Sequence, residues 1–264
     1  MHYDAEVFVT EASSASNLLS EWPFFEHVCV INLESRIDRW EAMQRQFKRL
    51  NIHTAQRFAA IRPAENVVEN AALQPLRSFL RRIDGDSERS DAKLRATWGC
   101  MLSHLGVIRL AQERGWSYVL VLEDDCEFEP YALSVMQRVA RQLAGRQWDM
   151  LYLGGTFKRG GLRSRCSENL ELASRIRLGH AYLVNARLYD RILNEAQVSG
   201  LPIDWYYSEI LQPQVACFRV SPTLAYQRLL DMSDIESTER KPRFKTRQML
   251  ARLWCRVRYG FFSG

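Results

Sequence analysis

The chain of 264 residues lacks the short motifs that assign a sequence to several large enzyme classes. No Gly-x-Gly-x-x-Gly motif follows a predicted strand and no P-loop occurs. The sequence therefore does not support a dinucleotide-binding enzyme or a P-loop NTPase. The Gly-x-Ser-x-Gly elbow and the His-Glu-x-x-His zinc motif are absent too, which argues against hydrolases and proteases of those types. The chemistry has to come from other residues.

Closely spaced cysteines and long apolar runs are also missing. The nearest two of the six cysteines are 26 residues apart, so there is no Cys-x-x-Cys motif for a metal or for redox exchange. No run of about 18 apolar residues could span a membrane, and the first residues lack a signal-peptide pattern. These features predict six reduced thiols and a cytoplasmic protein.

The composition, with 47% hydrophobic and 25% charged residues, is typical of a globular protein with a large core. The charge is unevenly distributed, because residues 240–264 hold eight basic and no acidic residues. The rest of the chain holds 28 basic and 31 acidic residues. A slightly acidic body is therefore followed by a strongly basic tail.

Hydrophobic periodicity predicts strands that alternate with helices. The predicted strands lie at 27–33, 56–61, 117–122, 148–153, 180–184 and 215–220, and the helices at 36–50, 97–114, 131–144 and 186–196. The polar segment 62–95 is predicted to be a variable excursion with one helix near 71–83, and 154–169 a loop. This order predicts an α/β fold with a mostly parallel sheet flanked by helices. Residues 1–26 would form an extension, 27–239 one domain and 240–264 a helical tail.

The segment YVLVLEDDCEFE at 118–129 is the most informative one. A short apolar strand ends in Glu123, Asp124 and Asp125, whose carboxylates repel one another unless a cation or hydrogen-bond donors neutralise them. Ligands of open α/β sheets bind at the carboxyl ends of strands, and oxygen ligands suit Mg²⁺ or Mn²⁺. We therefore expect a divalent cation that holds a phosphorylated ligand; the alternative is a solvated acidic turn.

Several segments, in order along the chain, resemble glycosyltransferase family 25, the lipooligosaccharide and procollagen galactosyltransferase group. They are INLESRIDRWEAM (31–43), GCMLSH (99–104), VLEDDCEF (121–128), WDMLYLGG (148–155), GHAYLVNARLYDRIL (179–193), LPIDW (201–205), SPTLAYQ (221–227) and MSDIES (232–237). The resemblance implies a GT-A type, Rossmann-like fold, a UDP-galactose or UDP-glucose donor, Mn²⁺ or Mg²⁺, and inversion at the anomeric carbon. The family often has Gly-Glu-Ile before Gly-Cys, whereas this chain has Ala96, Thr97 and Trp98.

The resemblance places the metal at the acidic strand. Asp125 is the expected direct ligand, with Glu123 on the same strand face. Asp234 in MSDI is expected to reach the metal or the diphosphate. Asp124 points the other way, toward the ribose or a metal-bound water, unless it only caps a turn.

Donor contacts are expected at the end of the first strand and after the fourth. By family position, Asn32, Arg36 and Arg39 would contact the nucleotide or the diphosphate, for which guanidinium groups are well suited. Gly154 and Gly155 would line the donor pocket. The alternatives are a solvated helix start for the arginines and an ordinary tight turn for the glycines.

An inverting transferase also needs a general base for the acceptor hydroxyl. Asp204 in LPIDW is the first candidate, and its alternative role is to cap a helix at 205–211. His104 would contact the acidic strand or the acceptor, or serve a structural role; His180 and Asp234 are the other candidate bases. Gly99 would let another backbone approach closely, and Tyr182 would either stack on a sugar or pack in the core.

The tail has an amphipathic helical pattern. The apolar residues are Leu250, Leu253, Trp254, Val257 and Phe261, and the arginines that flank or oppose them are Arg247, Arg252, Arg256 and Arg258. Such a helix is typical of attachment to an anionic membrane surface. The alternatives are a helix docked on the acidic body and, less expected, a nucleic-acid contact.

These features together predict an inverting, metal-dependent glycosyltransferase. It would move galactose or glucose from a UDP-sugar to an oligosaccharide or glycolipid acceptor, in lipooligosaccharide or other cell-surface glycan synthesis, at the inner face of a membrane. The alternative function is a noncatalytic nucleotide-sugar or glycan-binding module of the same fold. A Mg²⁺-dependent phosphohydrolase is disfavoured, because no nucleophilic aspartate with a suitably spaced partner and a downstream lysine is present.

Overall fold

The computed structural model of the chain describes residues 23–85, 90–228 and 242–260. Most of the predicted extension at 1–26, and the whole MSDIES segment with Asp234, lie outside the described residues. No helix within the described part is long and apolar enough to cross a membrane.

An eight-stranded sheet forms the centre of the described chain. In spatial order its strands are β2 (Ala55–Ala59), β1 (Val28–Asn32), β3 (Tyr118–Glu123), β10 (Ala181–Asn185), β5 (Met150–Tyr152), β11 (Cys217–Val220), β8 (Leu170–Ala173) and β7 (Arg163–Arg165). Within this sheet only β10 and β8 run against the direction of the other six strands. The predicted α/β fold with a mostly parallel sheet is confirmed.

Two small antiparallel sheets lie beside the large one. One pairs β4 (Cys126–Phe128) with β12 (Ala225–Gln227), and the other pairs β6 (Thr156–Phe157) with β9 (Ile176–Arg177). The prediction of a plain loop at 154–169 is wrong, because β6 and β7 fall inside it. Their two or three residues are too few to show a period in the sequence.

Helices cover both faces of the sheet, as its alternating side chains require. Leu120 and Leu122 of β3 belong to the core under α1 (Ile37–Arg49) and α4 (Ala132–Leu143). Val119 and Val121 belong to the core under α3 (Ser90–Glu113) and α5 (Tyr189–Glu195). All four side chains are fully buried. A strand that is buried on both faces is apolar along most of its length, which explains the continuous apolar run in the sequence.

The excursion after β2 forms a small layer of its own. Its helix α2 (Gln74–Asp84) packs Leu76 and Phe79 against Leu94 in the first part of α3. That first part explains why α3 begins at Ser90 rather than at the predicted 97. Pro75 lies at the start of α2, where its missing N–H costs no hydrogen bond.

Helical segments lie in the last part of the described chain. A three-residue helix α6 (Ile203–Trp205) continues directly as a π-helix over Tyr206–Leu211. The C-terminal helix α7 (Pro242–Gly260) is the predicted tail helix. All six cysteines are unpaired.

Candidate active site

The carboxyl ends of β1 and β3 meet at one edge of the sheet, because these strands are parallel neighbours in which Ile31 pairs with Glu123. Asp124 and Asp125 form the turn that joins β3 to β4. All three carboxylates line a cavity of about 320 Å³, which we call the first cavity. The segment predicted to hold a ligand therefore faces a cavity at the expected end of the strand.

Asp124 is held by the protein itself. Its Oδ2 accepts a hydrogen bond of 2.7 Å from Asn32 Nδ2, and its Oδ1 lies 2.9 Å from Arg39 Nη1. Arg57 in turn donates to Asn32 Oδ1 at 2.8 Å. Burial raises the pKa of Asp124, although the hydrogen bond from Asn32 and the charge of Arg39 act against that rise. This network holds the turn in place. The carboxylate of Asp124 is therefore engaged by Asn32 and Arg39 rather than left open to a ligand.

Glu123 points toward α3. Its Oε1 lies 3.5 Å from Nε2 of the buried His104, and its Oε2 accepts a hydrogen bond of 3.3 Å from Gln227. Burial raises the pKa of Glu123, but the nearby imidazole of His104 outweighs it and holds the pKa below its ordinary value. His104 Nδ1 lies 2.7 Å from the hydroxyl of Tyr182. Tyr182 is fully buried among aromatic rings and therefore packs in the core.

The wall opposite the carboxylates comes from the segment after β2. A Cβ on Gly99 would lie 2.6 Å from the carbonyl oxygen of Ile61, so the predicted close approach of another backbone is confirmed. Ser103 accepts a hydrogen bond from the Ile61 amide at 2.8 Å and donates one to the Gly99 carbonyl at 2.6 Å. These contacts fasten the segment to α3 and set the width of the first cavity.

Three guanidinium groups share the first cavity with the three carboxylates. They belong to Arg39, Arg62 and Arg95. Arg95 also pairs with the exposed Glu65 at 3.2 Å. Neither Arg62 nor Arg95 was expected in the site from the sequence, although Arg95 lies on the helix of the GCMLSH motif, one turn before Gly99. An anionic ligand that carries a cation needs both kinds of charge. Arginines can bind its anionic groups, and carboxylates can bind the cation.

A second cavity of about 240 Å³ adjoins the first. The two share Cys100, Glu123 and Gln227 among their lining residues. The second cavity is also lined by Asp204 and Trp205 of α6. Glu123 is therefore the carboxylate that faces both spaces.

Asp204 is not the residue that precedes a helix. The helix begins at Ile203 and Pro202 occupies the N-cap position, so the alternative of Asp204 as a cap for 205–211 is wrong. Burial raises the pKa of Asp204, while the backbone N–H of Leu178 and the charge of Arg177 act against that rise. The Arg177 guanidinium lies 3.0 Å from the ring centroid of Trp205, and the rings of Trp205 and Phe79 make a T-shaped contact.

Some expected site residues lie elsewhere. Arg36 pairs with Asp38 at the start of α1, at 2.8 Å, and lines neither cavity. Gly154 and Gly155 also line neither cavity. A Cβ on Gly154 would lie 2.2 Å from the Ala225 carbonyl oxygen, so this glycine is required for packing against β12. His180, 2% exposed, donates to that same carbonyl at 3.1 Å and does not reach either cavity.

The helix α7 docks on the body through arginines. Glu129 is completely buried, and its carboxylate contacts the Nε atoms of Arg252 and Arg256, the latter at 2.6 Å. Arg252 also lies 3.1 Å from Glu127. The apolar side chains on the other side of the helix are exposed by 54–62%; they are Met249, Leu250, Leu253, Trp254 and Val257. Phe261 lies outside the described residues.

Comparisons with known proteins show what the chain is similar to. The model of the family called Glycosyltransferase family 25 (LPS biosynthesis protein) matches residues 25–166. A Glycosyltransferase 25 family member of Drosophila melanogaster is 32% identical over 130 residues, which cover 49% of this chain and 21% of that protein. Procollagen galactosyltransferase 1-A of Xenopus laevis is 28% identical over 231 residues, which cover 76% of this chain and 36% of that protein.

The chain therefore spans between 21% and 36% of the length of these two relatives. Among solved structures, mannose-1-phosphate geranyltransferase from Thermus thermophilus aligns with 74% of this chain and 73% of its own, at 9% identity and a TM-score of 0.31. The family match covers all three carboxylates of the first cavity and every residue that lines it except Gln227.

Proposed function

Because residues 25–166 match its model, the chain belongs to glycosyltransferase family 25, and we propose that it moves a hexose from a UDP-sugar to a saccharide acceptor. The observation that carries the proposal is the pair of cavities that meet at Cys100, Glu123 and Gln227. A transfer between two substrates needs two sites that meet at the reacting atoms. In this proposal the first cavity holds the donor and the second holds the acceptor.

Glu123 and Asp125 fit a hard divalent cation such as Mn²⁺ or Mg²⁺, because both present carboxylates to the first cavity. Asp124 fits less well, since its two oxygens already bind Asn32 and Arg39. When bound there, the cation supplies Lewis-acid stabilisation of the departing diphosphate. Asp234, outside the described residues, is proposed as a further contact to the metal or the diphosphate.

The arginines of the first cavity would bind the diphosphate of the donor. Arg62 and Arg95 lie on two different segments, so they approach a ligand from different directions. Guanidinium groups fixed before the reaction stabilise charge that develops on the leaving group without reorganising. Arg39 is proposed to act with them while it also holds Asp124.

Asp204 is proposed as the general base. A single displacement requires the acceptor hydroxyl to attack from the side opposite the diphosphate, and Asp204 lies in the cavity that adjoins the first one. Its raised pKa makes it a stronger base than an ordinary aspartate. His104 is buried between Tyr182 and Glu123, so we propose that it positions Glu123 rather than accepting the proton.

The acceptor is proposed to be a saccharide. The second cavity has apolar walls from α2 and α6, including Phe79 and Trp205, and polar groups at Asp84 and Lys93. Sugars present both an apolar ring face and hydroxyl groups, which such a surface can bind. The name of the Xenopus laevis relative favours galactose as the hexose, and the description of the family favours a lipopolysaccharide or other cell-surface glycan as the product.

We also propose that α7 lays its exposed apolar side chains on an anionic membrane surface. Arg252 and Arg256 are used against the body, so the helix presents Leu253 and Trp254 outward in a fixed orientation. Basic residues near an anionic bilayer each contribute about 1 kcal/mol to binding. A membrane-bound glycolipid acceptor would then be brought to the enzyme.

A screen of UDP-hexoses tests the function. One of them, together with Mn²⁺, is expected to raise the melting temperature and to be turned over with release of UDP. Arg95→Ala should weaken both effects, whereas Arg36→Ala should change neither, because Arg36 lines neither of the two cavities. Protection without turnover would instead support the noncatalytic binding module. The absence of both effects in the folded protein would reject the proposal.

A further inference from the structure

The geometry points to a second kind of metal site, in which Cys100, His104 and Glu123 bind a thiophilic cation such as Zn²⁺ where the two cavities meet. Its donors are a thiolate, an imidazole and a carboxylate, whereas the site proposed for Mn²⁺ or Mg²⁺ has carboxylates alone. The two sites share Glu123. Binding of Zn²⁺ here does not depend on the proposed function of the protein.

The three donors are brought together by two elements. Cys100 and His104 are four residues apart on α3, which places them on the same face of the helix. Glu123 ends the strand against which that face packs. One ligand atom from each residue lies within 4.8 Å of the other two. Zn²⁺ binds sulfur at about 2.3 Å and nitrogen at about 2.0 Å, so small side-chain rotations suffice to close the site.

His104 is arranged as metal-binding histidines usually are. It is 1% exposed, and among the residues that the structure describes no atom forms a hydrogen bond with its Nε2. Its Nδ1 lies 2.7 Å from the hydroxyl of Tyr182. When Nδ1 donates to that hydroxyl, the lone pair of Nε2 is directed toward Glu123, 3.5 Å away. A hydrogen bond to the second ring nitrogen is the standard way to orient a ligating imidazole.

Space for an ion is present beside these atoms. A Cβ on Gly179 would lie 3.2 Å from Glu123 Oε1 and 3.2 Å from His104 Cε1, so the glycine keeps this position open. Cys100 and Glu123 line both cavities, which gives an ion a route from solvent. A water molecule or Asp204, which lines the second cavity, would complete a tetrahedral set.

The donor set selects the metal. Thiolate and imidazole ligands favour Zn²⁺ over Mg²⁺ or Mn²⁺, both by softness and by the general order of affinities. Cys100 binds as the thiolate, and its proton is released to solvent. Because Glu123 would be withdrawn from the first cavity, Zn²⁺ should inhibit donor binding; this consequence alone rests on the proposed function.

Cobalt provides a direct test, because Co²⁺ bound by a thiolate shows a charge-transfer absorption that oxygen ligands do not give. We expect the wild-type protein to show this band with Co²⁺ and to lose it when Zn²⁺ is added. Cys100→Ser should abolish the band and weaken Zn²⁺ binding by about 100-fold or more, since even the loss of an outer-shell partner costs about 10–100-fold. Cys166→Ser, at a cysteine that lines neither cavity, should leave both unchanged.

Alkylation of the wild-type protein keeps the test valid if Cys100→Ser does not fold. Zn²⁺ should slow the modification of Cys100 and leave that of Cys166 unchanged, as followed by mass spectrometry. A Co²⁺ complex of the folded wild-type protein without a thiolate band would overturn the proposal. So would a band that persists in folded Cys100→Ser, or equal alkylation of Cys100 with and without Zn²⁺.

Discussion

Arg39 Nη1 lies 2.9 Å from Asp124 Oδ1 in an ion pair that joins residues 85 positions apart in the sequence. The side chains are 6% and 10% exposed, so the pair is almost completely removed from solvent. It connects α1 to the turn that carries Asp125. The middle carboxylate of the acidic triplet thus serves to hold the other two in place.

Replacing Arg39 should therefore destabilise the fold as well as the site. Arg39→Met leaves Asp124 buried without its cation, and breaking such a pair costs about 3–5 kcal/mol. Urea denaturation would measure the change. Arg45→Met is the matched control, because Arg45 pairs with Glu41 at 3.6 Å on the surface. That pair should contribute less than about 1 kcal/mol. Equal losses in the two variants would mean that the Arg39–Asp124 pair is not structural.

The two aspartates of the turn should respond differently to substitution. Asp125→Asn is expected to abolish transfer and to weaken donor binding only when Mn²⁺ or Mg²⁺ is present, with little change in unfolding. Asp124→Asn should mainly lower the free energy of unfolding, because the charged partner of Arg39 is lost. Titration with UDP in the presence and absence of the metal separates the effects. Full activity of the wild-type protein in EDTA would contradict the metal-dependent mechanism.

The raised pKa of Asp204 predicts a specific pH dependence of stability. Folding disfavours ionised Asp204, so the free energy of unfolding falls as pH rises from about 4, the ordinary aspartate pKa, through the higher folded-state value. Asp204→Asn lacks this component, and its stability relative to wild type should increase over that same range. A difference that does not vary with pH would show that the carboxyl is not destabilised by burial.

The same variant tests the general base. Asp204→Asn is close in size to the original side chain but cannot accept a proton at neutral pH. We expect the chemical step to slow by about 100-fold or more while donor affinity changes little. The acidic limb of the wild-type rate should lie above the ordinary aspartate pKa and disappear in the variant. Normal turnover by Asp204→Asn would move the role of base to another residue.

The exposed face of α7 can be tested without disturbing its docked face. The double variant Leu253→Ser with Trp254→Ser should lose binding to anionic vesicles, because both side chains are 60% exposed. Val198→Ser is the control, as Val198 is 82% exposed and is not part of α7. Sedimentation with vesicles measures binding, which should also weaken with added salt. Unchanged binding of the double variant would mean that α7 is only a docked structural helix.

Deletion of residues 240–264 is a poorer test of membrane binding. It removes Arg252 and Arg256 from Glu129, which is completely buried. The deletion also uncovers the surface on which α7 docks, so the shortened chain should unfold more easily whether or not it meets a membrane.

The sequence allowed the main elements of the site to be placed but not their pairings. The apolar run before Glu123 predicted the strand, and its carboxyl end predicted the ligand site. Nothing in the local pattern indicated that Asp124 is bound by Arg39, because that contact depends on how α1 packs across β1. Arg62 lies in a segment without periodicity, and its position in the first cavity arises only from the contact of that segment with Gly99. Glycines required for packing, such as Gly154, look the same in a sequence as glycines that contact a ligand.

The anomeric configuration of the transfer product shows whether the hexose moves in a single displacement between the two cavities. If the donor lies in the first cavity and the acceptor hydroxyl attacks from the second, one displacement converts an α-linked UDP-hexose into a β-linked product. Proton NMR of the product made with Mn²⁺ should show the β configuration, and the Asp125→Asn variant should give no product. An α-linked product, or release of free hexose alone with every saccharide acceptor, would contradict the account.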